Sequence, residues 1–111
     1  DKAAHKELTK LVEQGSPVDK RLAAECLGRI ADRQAVPTLL AALASPTDRF
    51  VEHALIYALI EIGDVESTQA GLASANANVR RGAMIALDQM PGGKLDPAYL
   101  ITVPEDLNAV S

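Results

Sequence analysis

The two histidines of the chain, His5 and His53, are its only imidazoles, the side chain that most often serves as a metal ligand or as an acid-base group near neutral pH. Neither stands at helical spacing from a second ligand that would complete a metal site. We therefore predict no metal ion and no cofactor, and we interpret His53, which follows Glu52, as a solvated histidine on a helix surface.

The acidic residues show no arrangement typical of catalysis. Glu61 and Asp64 flank a turn and Asp88 lies near a helix end, so none has the apolar neighbourhood that raises a carboxyl pKa for acid-base work. No glycine-rich phosphate loop, nucleophile elbow or Ser-His-Asp order is present, and the Gly-Gly pair at 92–93 stands between helices rather than after a strand. We predict no catalytic residue.

The charge and the aromatic content limit the class of partner. The chain has 11 basic and 15 acidic residues, a pI near 5.0, one Phe and no Trp. It therefore lacks both the basic surface and the stacking side chains that nucleic acids require. We expect a protein or a neighbouring domain as the partner, with no nucleic acid and no membrane insertion. The candidate contact residues for an acidic partner or anion are Arg49, His53, Arg80 and Arg81.

Turn signals divide the chain into segments of about ten to fifteen residues, each with apolar residues at three- and four-residue spacing. After Pro17, for example, these are Leu22, Ala23, Cys26, Leu27 and Ile30. This periodicity predicts about seven α-helices and essentially no sheet. The chain is also rich in the small and aliphatic side chains that pack helices closely, with 19 Ala and 14 Leu.

The segments repeat. Leu27, Leu59 and Leu87 occupy the same place in three helix ends, with spacings of 32 and 28 residues. Periods near 30 with two helices per unit are typical of α-solenoids. In this alignment Cys26 stands where the other helices have Ala58 and Ala86, so we predict a small buried side chain rather than a reactive thiol.

The same alignment places Arg21, His53 and Arg81 at one position, and Lys20, Glu52 and Arg80 at the position before it. Stacking would arrange these side chains as a ladder along the solenoid. Two interpretations remain open, a solvated or salt-bridged face and a dedicated ligand surface.

Residues 79–87 (VRRGAMIAL) and 35–43 (AVPTLLAAL) resemble the two helices of a HEAT-like repeat, and residues 51–64 resemble the first helix and turn of another. The resemblance covers roughly residues 3–103. It implies an all-α, right-handed, armadillo-type solenoid of about three hairpins in a single domain, 1–103. The units are 3–15 (the second helix of an incomplete unit), 17–45, 48–74 and 77–103, followed by a loosely ordered tail, 104–111.

The function that this resemblance implies is a non-catalytic interaction or scaffold module whose curved, second-helix face binds a protein or an adjacent domain. Two alternatives are a HEAT-like enzyme segment of the bilin-lyase type and a structural spacer. Residues 86–93 (ALDQMPGG) are also similar to segments of large bacterial multidomain oxidoreductases with dehydrogenase-like propellers and c-type haem domains. The haem signature Cys-x-x-Cys-His is absent, and the repeated His-Glu pairs of iron-dependent HEAT-like hydroxylases are not found either.

The ends of the chain lead to three further expectations. The N-terminus lacks an initiator Met and an apolar signal segment, so we expect a piece excised from a longer protein. The incomplete first unit predicts an uncovered apolar edge at Leu8, Leu11 and Val12, through which copies would self-associate. The longest apolar run, residues 54–60, is too short to span a bilayer, and one cysteine fits every compartment, so the location stays open between cytoplasm, periplasm and secretion.

Overall fold

The computed structural model describes residues 2–45 and 48–90, and within these ranges every regular element is helical. This confirms the predicted fold class, a helical solenoid of hairpins. The predicted helix around residues 95–103 and the tail 104–111 lie outside the described residues. Six α-helices are described, with short 3-10 turns at Arg33–Ala35 and Ala70–Ala73: α1 Lys2–Gln14, α2 Pro17–Arg29, α3 Val36–Ala42, α4 Arg49–Ile62, α5 Val65–Gln69 and α6 Ala77–Gln89.

Polar side chains cap the long helices at their first turns. Before α2, the Ser16 hydroxyl accepts a hydrogen bond from the Asp19 amide (3.2 Å), and the Asp19 carboxylate accepts one from the Ser16 amide (3.4 Å). Asp48 caps α4 through the Val51 amide at 2.8 Å, and Asn76 caps α6. These local bonds satisfy backbone groups that a helix start leaves unpaired, and they explain why the helices begin at the predicted turn signals.

Helices α2, α4 and α6 stack in chain order, with α2 along α4 and α4 along α6, while α1, α3 and α5 pack behind them. Leucines fill the layers between helices: Leu27, Leu39, Leu43, Leu55, Leu59 and Leu87 are all fully buried. At Gly28 the helices α2 and α4 come so close that an added Cβ would lie 3.0 Å from the Ala58 Cα. Within the described residues, no helix is long and apolar enough to cross a membrane.

The prediction that Cys26 is buried is wrong, because its side chain is exposed. Leu22 and Ile30, predicted on the same apolar face, are 52% and 53% exposed. The side of α2 that packs in the core carries Ala24 together with Ala23 and Leu27, which the sequence did predict there. The alignment assumed an equal neighbour for every long helix, but no described helix covers this side of α2.

The predicted apolar edge at the start of the chain is also misplaced. Val12 is only 1% exposed, Leu8 is half-buried against the core, and Leu11 alone is exposed, at 38%. α1 buries these residues because it packs against both α2 and α3. The larger uncovered apolar surface lies on α2.

Candidate functional site

A groove with a volume of about 600 Å³ lies between α2 and α4. We call it the α2–α4 groove. Its walls mix cationic, acidic and aromatic side chains over a small apolar floor: Arg21, Glu25, Arg29, Arg49, Phe50, His53, Ala54, Tyr57 and Glu61.

Helical spacing builds both walls of the groove. Arg21 and Arg29 are eight residues apart on α2, with Glu25 halfway between them, so the three side chains share one helix face. On α4, His53 and Tyr57 are four residues apart and form a similar row. Because α2 and α4 approach closely at the glycine-alanine contact, the two rows lie on either side of a single cleft.

The arginines of the groove have no partner within the described residues. Arg21, Arg29 and Arg49 make no ion pair and no side-chain hydrogen bond there, in contrast to Arg81 on α6. Three arginines against two glutamates give the groove a formal charge of +1, although the whole chain carries −4. The groove is thus a local basic site on an acidic protein, where an anionic group meets unpaired guanidinium donors.

Two of the three aromatic residues in the chain lie in this groove. Phe50 is 68% exposed and Tyr57 is 53% exposed, whereas the aliphatic residues of the core are almost all buried. Exposed aromatic side chains beside arginine are typical of contact surfaces, since both residue types are enriched among the residues that dominate binding energy.

The four predicted contact residues fall into two groups. Arg49 and His53 line the α2–α4 groove. Arg80 instead donates to the Ser74 carbonyl oxygen at 2.7 Å, and Arg81 pairs with Glu52 at 3.2 Å, so both make intramolecular bonds. The pair between positions 52 and 81 is one contact of the predicted ladder.

Arg29, Phe50 and Tyr57 also line the groove but are not among the contact residues predicted from the sequence. The available signal was the four-residue spacing of polar and aromatic residues on α2 and α4, combined with the scarcity of aromatics elsewhere. The sequence had instead suggested a contact face on the second helices. The groove on that side, about 330 Å³, is lined by residues of α3, α5 and their neighbours and contains no charged side chain.

The side chains of the groove can make ionic, hydrogen-bonding and aromatic contacts with a ligand. Among the described residues, no group of three His, Cys, Asp or Glu side chains is placed to hold a metal ion. Hydrogen bonds from the Ser67 hydroxyl and amide lower the pKa of Asp64, but this carboxylate caps α5 and does not line the groove. The groove residues supply cationic donors and aromatic faces for a ligand.

Comparison with known proteins adds one match. A family model described as HEAT repeats matches residues 6–87, which is more than half of the chain and runs from α1 into the last turn of α6. No curated protein sequence matches the chain significantly.

Proposed function

Because this chain belongs to the HEAT-repeat family, whose members are generally protein-interaction and scaffold modules, we propose that it is a non-catalytic module that binds another protein or a neighbouring domain through the α2–α4 groove. The observation that carries the proposal is the set of three unpaired arginines around exposed Phe50 and Tyr57. A ligand that covered these aromatics would gain apolar burial and charge pairing together.

The chemistry of the groove also selects the type of segment bound. The unpaired guanidinium groups of Arg21 and Arg49 favour carboxylates, and the exposed ring of Phe50 favours an apolar anchor. A groove of about 600 Å³ accommodates a few side chains rather than a folded domain. The proposed ligand is therefore a short acidic segment with one or two large apolar residues.

A peptide selection tests this proposal. Random peptides displayed on phage are selected against the wild-type chain, and the affinities of the enriched peptides are measured by fluorescence anisotropy. We expect acidic sequences with a recurrent apolar position. The double substitution Arg21→Glu with Arg49→Glu should weaken the affinity of these peptides at least tenfold, about 1.4 kcal/mol, because like charges then face the peptide carboxylates.

The matched control is the pair Lys6→Glu and Lys10→Glu on α1, which changes the net charge equally but lies outside the groove. All four positions are exposed, so circular dichroism should show the same helix content in both variants. If both double variants lost binding equally, the loss would be due to the net charge of the protein and not to the groove, which would contradict the proposal. Enriched peptides without acidic residues would also contradict it.

A further inference from the structure

One apolar surface of the protein has no covering element among the described residues. Four residues at four-residue spacing form it: Val18, Leu22 and Cys26 of α2 and Ile30, which directly follows the helix. Val18, Leu22 and Ile30 are 56%, 52% and 53% exposed, and Cys26 is also exposed. We call this row the α2 stripe; it lies on a different side of α2 from the residues that pack on α4.

Helices α4 and α6 bury the equivalents of Leu22, Cys26 and Ile30, whereas Phe50, the equivalent of Val18, is exposed. With the spacings of 32 and 28 residues, Cys26 corresponds to Ala58 and Ala86, both 0% exposed. Ile30 corresponds in the same way to Ile62 and Met90, which are 6% and 4% exposed.

The preceding helix of the stack approaches this side of both α4 and α6. Gly28 of α2 lies against Ala58, and Ile56 of α4 lies close to Gly82 of α6. The α2 stripe is therefore a helix-packing surface whose partner helix is absent from the described residues.

We propose that the α2 stripe binds the same stripe of a second copy of this chain, with the two α2 helices antiparallel. The charges along the helix support this occupant. Asp19 lies in the first turn of α2, whereas Arg29 ends the helix and Arg33 follows it. In an antiparallel pair each Asp19 faces the basic end of the other copy, while a parallel pair would place like charges together.

The apolar residues of the stripe are self-complementary in the same arrangement. Val18 and Leu22 of one helix then face Ile30 and Cys26 of the other, so small and large side chains interdigitate across the contact. The exposed stripe offers on the order of 300 Å² of apolar surface per copy, against about 800 Å² per partner in a standard interface. We therefore expect a weak dimer in fast exchange, with a dissociation constant on the order of 0.1 to 1 mM.

Sedimentation velocity of the full chain from about 10 μM to about 1 mM tests the association. The wild type should shift towards dimer over this range, and Leu22→Glu should remain monomeric because it places a charge in the centre of the contact. Leu11→Glu is the matched control, since it makes an exposed apolar residue of α1 acidic outside both the stripe and the groove and should dimerise like the wild type. A monomeric wild type, or equal association of Leu22→Glu, would overturn the proposal.

Cys26 provides a second readout because it is the only cysteine in the chain. A short bis-maleimide can join two copies only through this residue, so wild-type chains should give a crosslinked dimer at high concentration. The yield should fall at least fivefold in Leu22→Glu and stay unchanged in Leu11→Glu. The same low yield in all three proteins would count against a paired stripe.

Charge reversal tests the antiparallel direction. Two variants are compared: the single substitution Asp19→Arg, and the double substitution Arg29→Asp with Arg33→Asp. Each variant alone should self-associate more weakly than the wild type. An equimolar mixture should recover association, since the arginine introduced at position 19 of one variant then faces the acidic residues introduced in the other. Circular dichroism checks that Asp19→Arg, which loses part of the α2 cap, remains helical. Failure of the mixture to recover would refute the second copy and assign the stripe to a helix of a different protein.

Discussion

Helices α2 and α4 are each followed by a residue in the left-handed conformation, which is an alanine after α2 and a glycine after α4. After α2, Ala31 has a φ of 54°, and after α4, Gly63 has a φ of 69°. Ala31 completes a Schellman motif, in which its amide donates to the Gly28 carbonyl oxygen and the next amide donates to that of Leu27, each at 3.1 Å. Because only glycine adopts the left-handed region without strain, we predict that Ala31→Gly stabilises the protein and Gly63→Ala destabilises it.

Two opposing contributions determine how much Ala31→Gly changes the free energy of unfolding. A left-handed alanine costs about 1 to 2 kcal/mol, which the glycine removes. The glycine also increases the conformational entropy of the unfolded chain, which offsets about 0.4 to 1 kcal/mol. Ala31→Gly should therefore raise the free energy of unfolding by about 0.5 to 1 kcal/mol, and Gly63→Ala should lower it by a similar amount. For a domain of this size the shift in Tm is roughly 2 to 8 °C in each direction.

Thermal and urea unfolding followed by far-ultraviolet circular dichroism measures both variants against the wild type. Each hydrogen bond of the motif stays in place, so the urea m-value should not change and the difference should appear in the midpoint alone. A destabilised Ala31→Gly, or shifts of the same sign in both variants, would refute the assignment of left-handed strain to the end of α2.

Three further substitutions test packing and capping. Thr68→Val should stabilise by about 1 kcal/mol in urea unfolding, because the buried hydroxyl has no hydrogen-bond partner in the described structure. Gly28→Ala should destabilise by about 1 kcal/mol in thermal melts despite its better helix propensity, since its Cβ would press on the Ala58 backbone. Asp64→Ala should cost about 1 kcal/mol at pH 7 through the lost cap. Hydrogen bonds from Ser67 lower the pKa of Asp64 in the folded state, so its contribution to stability is present above its ordinary pKa of 3.8 and is lost as the pH falls through the lower folded-state pKa. The stability gap between Asp64→Ala and the wild type should therefore narrow in melts as the pH is lowered below 3.8.

Local sequence signals were sufficient to predict the helices and the residues at which they begin. The Ser16-Pro17 turn before α2 and the Asn76 turn before α6 predicted boundaries that depend on hydrogen bonds within three residues. The repeat spacing also predicted which leucines fill the layers. These features depend on neighbours close in sequence or on the periodicity of the stack, both of which a single chain displays.

Which residues of α2 are buried could not be predicted in the same way. Cys26 resembles its aligned alanines in size, but its burial depends on a helix that no described residue provides. The groove was missed for a related reason, because Arg29 and Tyr57 are 28 residues apart and meet only through the packing of α2 on α4. The link from His5 to Asp32, which joins α1 to the turn after α2, is another contact of this kind.

Binding of an acidic segment in the α2–α4 groove can be tested by an amide NMR titration of the full chain. The probe is a synthetic peptide in which glutamates flank a leucine-phenylalanine pair. We predict saturable shifts at Arg21, Arg49, Phe50 and Tyr57 and little change along α1. Shifts centred on the uncharged groove beside α3, or no saturable shift at millimolar peptide, would contradict the claim.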